Sequence, residues 1–256
     1  MKSARTLVPS RPAFDYGWTK GWMNGLGIAA LAVLVAAIAL QMRAPLWWPA
    51  SFGLLIASAA LAGGNFVVTT FRRNEYAVLP LVRLLSGDQD RLLDAGCGSG
   101  RTSVAFAELL GQGRITAVDR FNARYIEAGG QALLAQNLAL AGMTGMVEAV
   151  QADLTALPFE AASFDSAVST AVFDHLGAGK QPALNEVQRV LKPGGRFLMS
   201  VWVPSWSTFL VGNVFSFMLS SRQAWRDMAG KAGFKIITEG VNNFSWYVLL
   251  EKPAEA

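Results

Sequence analysis

The sequence predicts an α/β protein: a doubly wound, mostly parallel sheet of seven strands, preceded by a transmembrane hairpin of two helices. Three observations carry that expectation. Two long runs near the N-terminus hold no charged residue. From about Tyr76 onward, short apolar strands alternate with helix-length segments, the pattern of a parallel sheet wound with helices. The first of those strands runs into a loop with glycines at alternate positions, Gly96, Gly98 and Gly100.

Composition agrees with a chain partly solvated by lipid. Of 256 residues, 52% are hydrophobic and 16% charged, against a globular norm of ~25% charged. The net charge of +4 is a small imbalance. Nucleic-acid binding calls for a basic patch on a folded face. Here the basic residues gather beside the apolar runs, which points to membrane topology and away from a nucleic-acid partner. One cysteine, Cys97, rules out an internal disulfide, and with a single histidine, His175, no metal site is expected.

Residues 1–20 form a basic tail. The uncharged runs 21–42 and 50–71 each reach the ~20 residues that a bilayer-crossing helix needs. Between them lie Arg43, Pro45 and Pro49, with Trp47 and Trp48 where indole rings favour the headgroup region. Ala29, Ala32 and Ala36 on the first run, and Ala59, Gly63 and Gly64 on the second, let backbones approach closely, within the hairpin or between copies of the chain as a homo-oligomer. Lys2, Arg5, Arg11 and Lys20 precede the first run, Arg72 and Arg73 follow the second, and only Arg43 lies between. The positive-inside rule places both termini on the cytosolic side, at the inner membrane of a bacterium. A cleaved signal peptide is the competing reading, but the run exceeds the usual ~7–15-residue apolar core and a second run follows it.

A connecting helix over 72–90, bent at Pro80, leads to a domain at 91–256. Its expected strands are 91–95, 114–119, 147–152, 165–170, 196–202, 235–239 and 246–251. The expected helices between them are 102–110, 123–140, 182–191 and 223–232.

The first strand ends in Leu92-Leu93-Asp94-Ala95-Gly96-Cys97-Gly98-Ser99-Gly100. Alternate glycines let the backbone turn sharply and let a ligand lie against the main chain. A dinucleotide fingerprint would read G-x-G-x-x-G, but Arg101 follows Gly100 and the spacing is G-x-G-x-G. Asp119 ends the second strand, where an acid can accept two hydrogen bonds from ribose hydroxyls. Past the third strand, Asp153 can accept from an adenine amino group while Leu154 packs on the ring. Singly, each acid reads equally well as a turn or helix cap.

Together these motifs resemble the class I S-adenosylmethionine-dependent methyltransferases. The resemblance rests on the D-x-G-x-G-x-G loop, the ribose acid, Asp153-Leu154 with Leu157-Pro158-Phe159, the fourth strand F-D-S-A-V-S, and E-V-x-R-V-L-K-P-G-G-R-F before the fifth. It covers roughly residues 76–252, closing hairpin included, and leaves out the two spans. It implies S-adenosylmethionine as cofactor, held by Asp94, Gly96, Gly98, Gly100, Asp119, Arg120, Asp153 and Leu154, with Asp94 available to the donor's ammonium group. Ser169 and Thr170, at the end of strand four, would face the reacting methyl.

The fourth strand continues into Phe173-Asp174-His175-Leu176, a turn that should border the site because open α/β sheets bind ligands at the carboxyl ends of their strands. Methyl transfer is an in-line displacement in which the protein aligns the nucleophile and, for oxygen or sulfur acceptors, takes its proton. Imidazole suits that task, which makes Asp174 and His175 the candidate catalytic pair. The alternative is that Asp174 caps a helix and His175 faces solvent. The uncharged segment 203–221 carries Trp206, Phe209, Phe215 and Phe217. As a third span it would strand the last two strands across the bilayer from their sheet. It reads instead as an apolar insertion that roofs the site or rests on the membrane surface, with core packing as the other choice.

The function expected is methyl transfer to a hydrophobic or membrane-partitioning small molecule or lipid. A non-catalytic, cofactor-sensing membrane protein would carry the same motifs. An NAD(P)-dependent oxidoreductase would need a later third glycine and a Tyr-x-x-x-Lys pair after strand four. Tyr16 and Lys20 have that spacing but precede both spans.

Overall fold

The computed structural model describes residues 14–73, 79–80, 82–107, 109–123, 126 and 128–254. Lys2, Arg5 and Arg11 of the basic tail lie outside them.

Two long helices come first, α1 at Lys20–Arg43 and α2 at Trp48–Arg73, joined by a 3-10 turn at Pro45–Trp47. Both are long and apolar enough to cross a membrane. They pack along a heptad seam of small side chains. Met23, Ala30 and Ala37 are buried on α1, facing Ser51 and Ser58 on α2. Ser58 Oγ donates to the Ala30 carbonyl at 2.8 Å, and the Gly27 N–H donates to Asn65 Oδ1 at 3.2 Å. These two contacts tie the helices to one another through a side chain on α2 and a backbone group on α1. Ile28, Leu31, Val35, Phe52, Ile56 and Phe66 point outward and are exposed.

Helix α2 ends at Arg73, and the described residues of 79–90 form turns and coil where a connecting helix was expected. Asp90 organises this stretch by accepting from the Ser86 and Gly87 amides and from Ser166 Oγ.

The domain that follows has strands β1 (Arg91–Ala95), β2 (Arg114–Asp119), β3 (Val147–Gln151), β4 (Phe164–Thr170), β5 (Leu191–Val201), β6 (Lys235–Asn242) and β7 (Ser245–Glu251). They form one sheet in the order β3-β2-β1-β4-β5-β7-β6. Strands β1 to β5 are parallel, and β7 runs antiparallel to both β5 and β6. Neighbouring residues feed opposite faces: Leu93, Phe197 and Leu250 enter one core, Leu92, Leu198 and Leu249 the other. This is why these strands read as continuous apolar runs.

Helices α3 (Arg101–Ala107) and α4 (Gln131–Ala141) cover one face, α5 (Lys180–Val190) and α7 (Arg222–Lys231) the other. Helix α4 starts eight residues later than expected from 123, because Gly129 and Gly130 both have positive φ and break the helical path. On α5 the buried Ala183, Leu184, Val187 and Val190 form the stripe of an amphipathic helix.

The segment 203–221 holds α6 (Trp206–Gly212) and a 3-10 helix at Asn213–Met218. Seven residues cannot span a bilayer. Ser205 caps α6 through a capping box with Thr208. The segment leaves Trp206 84%, Phe217 70% and Met218 80% exposed, so ordinary core packing does not describe it; the side chain of Phe215 lies outside the description. Helix α6 rests on α2 at Gly63 and Gly64, which therefore meet Leu210 and not chiefly α1 as expected. A Cβ at Gly64 would stand 2.1 Å from the Leu210 carbonyl oxygen.

This contact makes a sign test. Gly→Ala inside a helix ordinarily stabilises by about 1 kcal/mol. Gly64→Ala should instead lower the thermal midpoint of the detergent-solubilised protein. Gly53→Ala on the same helix, where a Cβ meets nothing within 4 Å, should not. A Gly64→Ala protein at least as stable as wild type would mean that α6 does not sit on α2 this closely.

Candidate active site

The strand order reverses between β1 and β4, so their loops diverge and leave a crevice at the carboxyl edge of the sheet. A cavity of about 550 Å³ occupies it. The glycine loop forms its floor. Gly96 adopts φ +90°, and a Cβ there would lie 2.5 Å from Val172 Cγ1 and Cγ2; at Gly100 (φ +87°) it would lie 2.4 Å from Leu134 Cδ1. Both positions require glycine for conformation and for space.

Asp119 fastens the loop. Its Oδ2 accepts from the Gly98 N–H at 2.9 Å and its Oδ1 from the Phe121 N–H at 2.7 Å. Each carboxylate oxygen has a second lone pair, and Asp119 lines the cavity, so the carboxylate can still accept from two ribose hydroxyls. Gly96, Gly98, Arg120, Leu154, Thr170 and His175 also line it.

The remaining expected residues stand behind the wall. Asp94 is buried under the loop, where Ser103 Oγ donates to its Oδ2 at 2.6 Å. Its Oδ1 is a buried acceptor with no hydrogen-bond partner among the described residues. Burial raises its pKa to about 7, opposed by the Ser103 hydrogen bond. That orphaned acceptor suits the ammonium group of an amino-acid tail. Gly100 packs on Leu134 rather than lining the cavity. Ser169 donates to the Ala95 carbonyl at 2.6 Å and ties β4 to β1. Adjacent residues of a strand point to opposite faces, so only Thr170 of the pair reaches the cavity, sharing a 2.7 Å hydrogen bond with Thr102.

Asp153 also departs from expectation. Arg120 Nη2 donates to its Oδ2 at 2.6 Å, while the amide and hydroxyl of Thr155 donate to Oδ1. The Arg120 hydrogen bond, with that of the Thr155 amide, lowers its pKa to about 2. Its acceptor capacity is directed at Arg120 and its own turn, and it is absent from the cavity lining.

Asp174 and His175 sit in a 3-10 turn at Phe173–His175. His175 Nε2 lies 3.5 Å from Asp174 Oδ2, with the imidazole largely exposed at the cavity and the carboxylate almost fully buried. Burial pushes the Asp174 carboxyl up, and His175 and Lys180 pull it back.

Several wall residues escaped the sequence reading. Arg101 could have been found, since it follows the loop directly. Asn242 and Asn243 come from the β6–β7 turn, where Asn243 has φ +45°. Trp18 and Val68 come from either end of the helical hairpin, and no local signal marks them.

Residues 93–199 match the family described as Methyltransferase domain. A putative methyltransferase of Encephalitozoon cuniculi is 29% identical over 184 residues, 63% of this chain and 78% of that protein. The ubiquinone/menaquinone biosynthesis C-methyltransferase UbiE of Hahella chejuensis is 38% identical over 109 residues, 42% of this chain and 41% of its own length. This chain therefore spans about two fifths of that relative. A solved S-adenosylmethionine-dependent methyltransferase of Methanosarcina mazei shares the fold at a TM-score of 0.55 and 22% identity, over 69% of this chain and 100% of that one. Fold, loop and matches define the class: a methyltransferase domain of the class I type, with S-adenosylmethionine as its cofactor. Residues 93–199 form such a domain, and an N-terminal helical hairpin reaches the wall of its cavity.

Two variants test the floor of this site. Asp119→Ala removes two charge-assisted acceptors and unties Gly98. Calorimetry should show affinity for S-adenosylhomocysteine falling by about tenfold to a hundredfold; unchanged affinity would take Asp119 out of the site. Asp94 makes a claim about pH. Between the ordinary carboxyl value of 3.8 and about 7, the folded protein keeps a proton there that the unfolded chain releases. The stability linked to that proton is full below the ordinary value and is lost as pH rises through about 7. Denaturant melts of Asp94→Asn should lack this decline relative to wild type, and parallel profiles for the two proteins would refute it.

Proposed function

We propose that this chain is an integral membrane enzyme that moves the methyl group of S-adenosylmethionine to an apolar small molecule or lipid arriving from the bilayer. The observation carrying this reading is that one cavity is bounded both by the glycine loop with Asp119 and by Val68 of α2. In this reading α1 and α2 cross the membrane, with their exposed apolar side chains in lipid. Lys20, Arg72 and Arg73 against the lone Arg43 support a catalytic domain on the cytosolic side, at the inner membrane in a bacterium. Trp206, Phe217 and Met218 are exposed on the segment whose α6 packs on α2; none of them lines the cavity, and they would rest in the interface and hold the domain at the bilayer, so an apolar acceptor need not cross water. The naming of the UbiE relatives as C-methyltransferases of ubiquinone/menaquinone biosynthesis supports a quinone-like compound as acceptor.

Bound S-adenosylmethionine supplies a methyl group on a positively charged sulfonium. Asp119 would accept from its ribose and Leu154 would pack on its adenine. The acceptor atom must then approach the methyl carbon from the side opposite sulfur, and alignment supplies much of the rate. His175 would take the proton that the acceptor releases. Asp174, at 3.5 Å from Nε2, would orient the ring and stabilise the imidazolium.

The test is turnover in sealed vesicles with labelled methyl donor and membrane lipid extract. Inverted vesicles should label an apolar product, whereas right-side-out vesicles should do so only after permeabilisation. His175→Gln should lower kcat by roughly 10²–10⁴-fold with donor affinity unchanged. Trp206→Ser with Phe217→Ser should raise the apparent KM for the apolar acceptor. Donor binding without labelled product from this extract would favour a cofactor-sensing protein. Equal activity in both vesicle orientations would sink the assigned sidedness.

A further inference from the structure

The N-terminal approach to α1 is fastened to the glycine loop far more firmly than a passing chain requires. Ser99 Oγ donates to the Tyr16 carbonyl at 3.1 Å. Asn137, fully buried on α4, donates through Nδ2 to the carbonyls of Asp15 at 2.8 Å and Ser99 at 2.9 Å, and its Oδ1 accepts from the Asp15 N–H at 3.2 Å. Trp18 forms an isolated backbone bridge with Ile126, whose Cδ1 lies against Gly98. Under this strap sits Arg101. Its guanidinium carbon is 5.6 Å from the Tyr16 ring centroid and 5.9 Å from that of Trp18, within cation–π range. Arg101 and Trp18 both line the cavity.

Position decides what such a cation would meet. Asp119 stands at the β2 end of the loop and suits a ribose. Arg101 follows Gly100 at the other end of the loop and lines the same cavity. A donor lying along the loop with its ribose at Asp119 would carry its amino-acid tail toward Arg101. A guanidinium presents a planar fork that matches a carboxylate with two parallel hydrogen bonds. Aromatic neighbours restrict the fork, so less side-chain entropy is lost when a ligand binds.

We propose that Arg101, held by Tyr16 and Trp18, recognises the α-carboxylate of the methyl donor, which makes the strap at residues 14–19 a working part of the donor site. The strap continues into α1 at Lys20, so binding of the donor's tail and seating of the hairpin are linked. This inference rests on S-adenosylmethionine being the donor. It adds residues that lie outside the matched domain at 93–199, as well as Arg101 within it.

The test compares two ligands on the full-length chain by calorimetry. S-adenosylhomocysteine carries the amino-acid tail; 5′-methylthioadenosine has the same adenosine without it. Arg101→Gln and Trp18→Ala should each weaken S-adenosylhomocysteine by about tenfold to a hundredfold, leaving methylthioadenosine within about twofold. Trp18→Phe, which keeps an aromatic face, should recover most of the loss. Equal weakening of both ligands would show a merely structural role and overturn the proposal, as would unchanged affinity for S-adenosylhomocysteine. If wild type bound neither ligand, the donor assignment itself would fall, and this inference with it.

Discussion

The bond from the Gly98 amide to the Asp119 carboxylate is the interaction on which the site depends. It joins the tip of the β1 loop to the end of β2 and sets how far the loop stands from the crevice. Because Phe121 donates to the other oxygen, the carboxylate is aimed before any ligand arrives, and a preorganised acceptor costs little reorganisation on binding. The loop can approach this acid only because Gly96 and Gly100 carry no side chain; Val172 and Leu134 already occupy the space a Cβ would take. Backbone freedom, packing and ligand chemistry are one constraint here.

A second level of organisation comes from the hairpin, which does more than precede the domain. Among the described residues it meets the domain through the strap over the glycine loop, through Val68 in the cavity wall, and through Gly63 and Gly64 under Leu210 of α6. The α1–α2 seam is made of small side chains with two side-chain-to-backbone hydrogen bonds. Larger side chains such as Ile28, Leu31, Phe52 and Phe66 face out. Gly63 and Gly64 of α2 serve the joint to the domain, which links the position of the helices to the shape of the cavity.

Much of this was legible in the chain. The seven strands fall close to where the sequence pattern puts them, most plainly β1, β4 and β7, whose burial on both faces leaves a largely apolar run. The loop, Asp119 and Leu154 are legible because their chemistry is local: a strand end, a turn and one side chain. Asp153 and Ser169 follow from the family resemblance, and what the motif does not carry is which partner their polar atoms take in the fold: Arg120 donates to Asp153, and Ser169 donates to the Ala95 carbonyl.

By itself the sequence determined the fold class, the glycine loop and the presence of two long apolar helices, because each is written in short-range pattern: period, composition and spacing. Only the tertiary structure decided which faces close the cavity. Trp18 and Val68 lie far from the loop in the chain, and their side chains resemble those of any apolar segment. What makes them part of the site is the packing of α6 on α2 and the hydrogen bonds of Asn137 and Ser99 to the strap. Such long-range contacts have no local signature, since they arise from the joint geometry of elements whose individual sequences satisfy only their own helix, strand or turn.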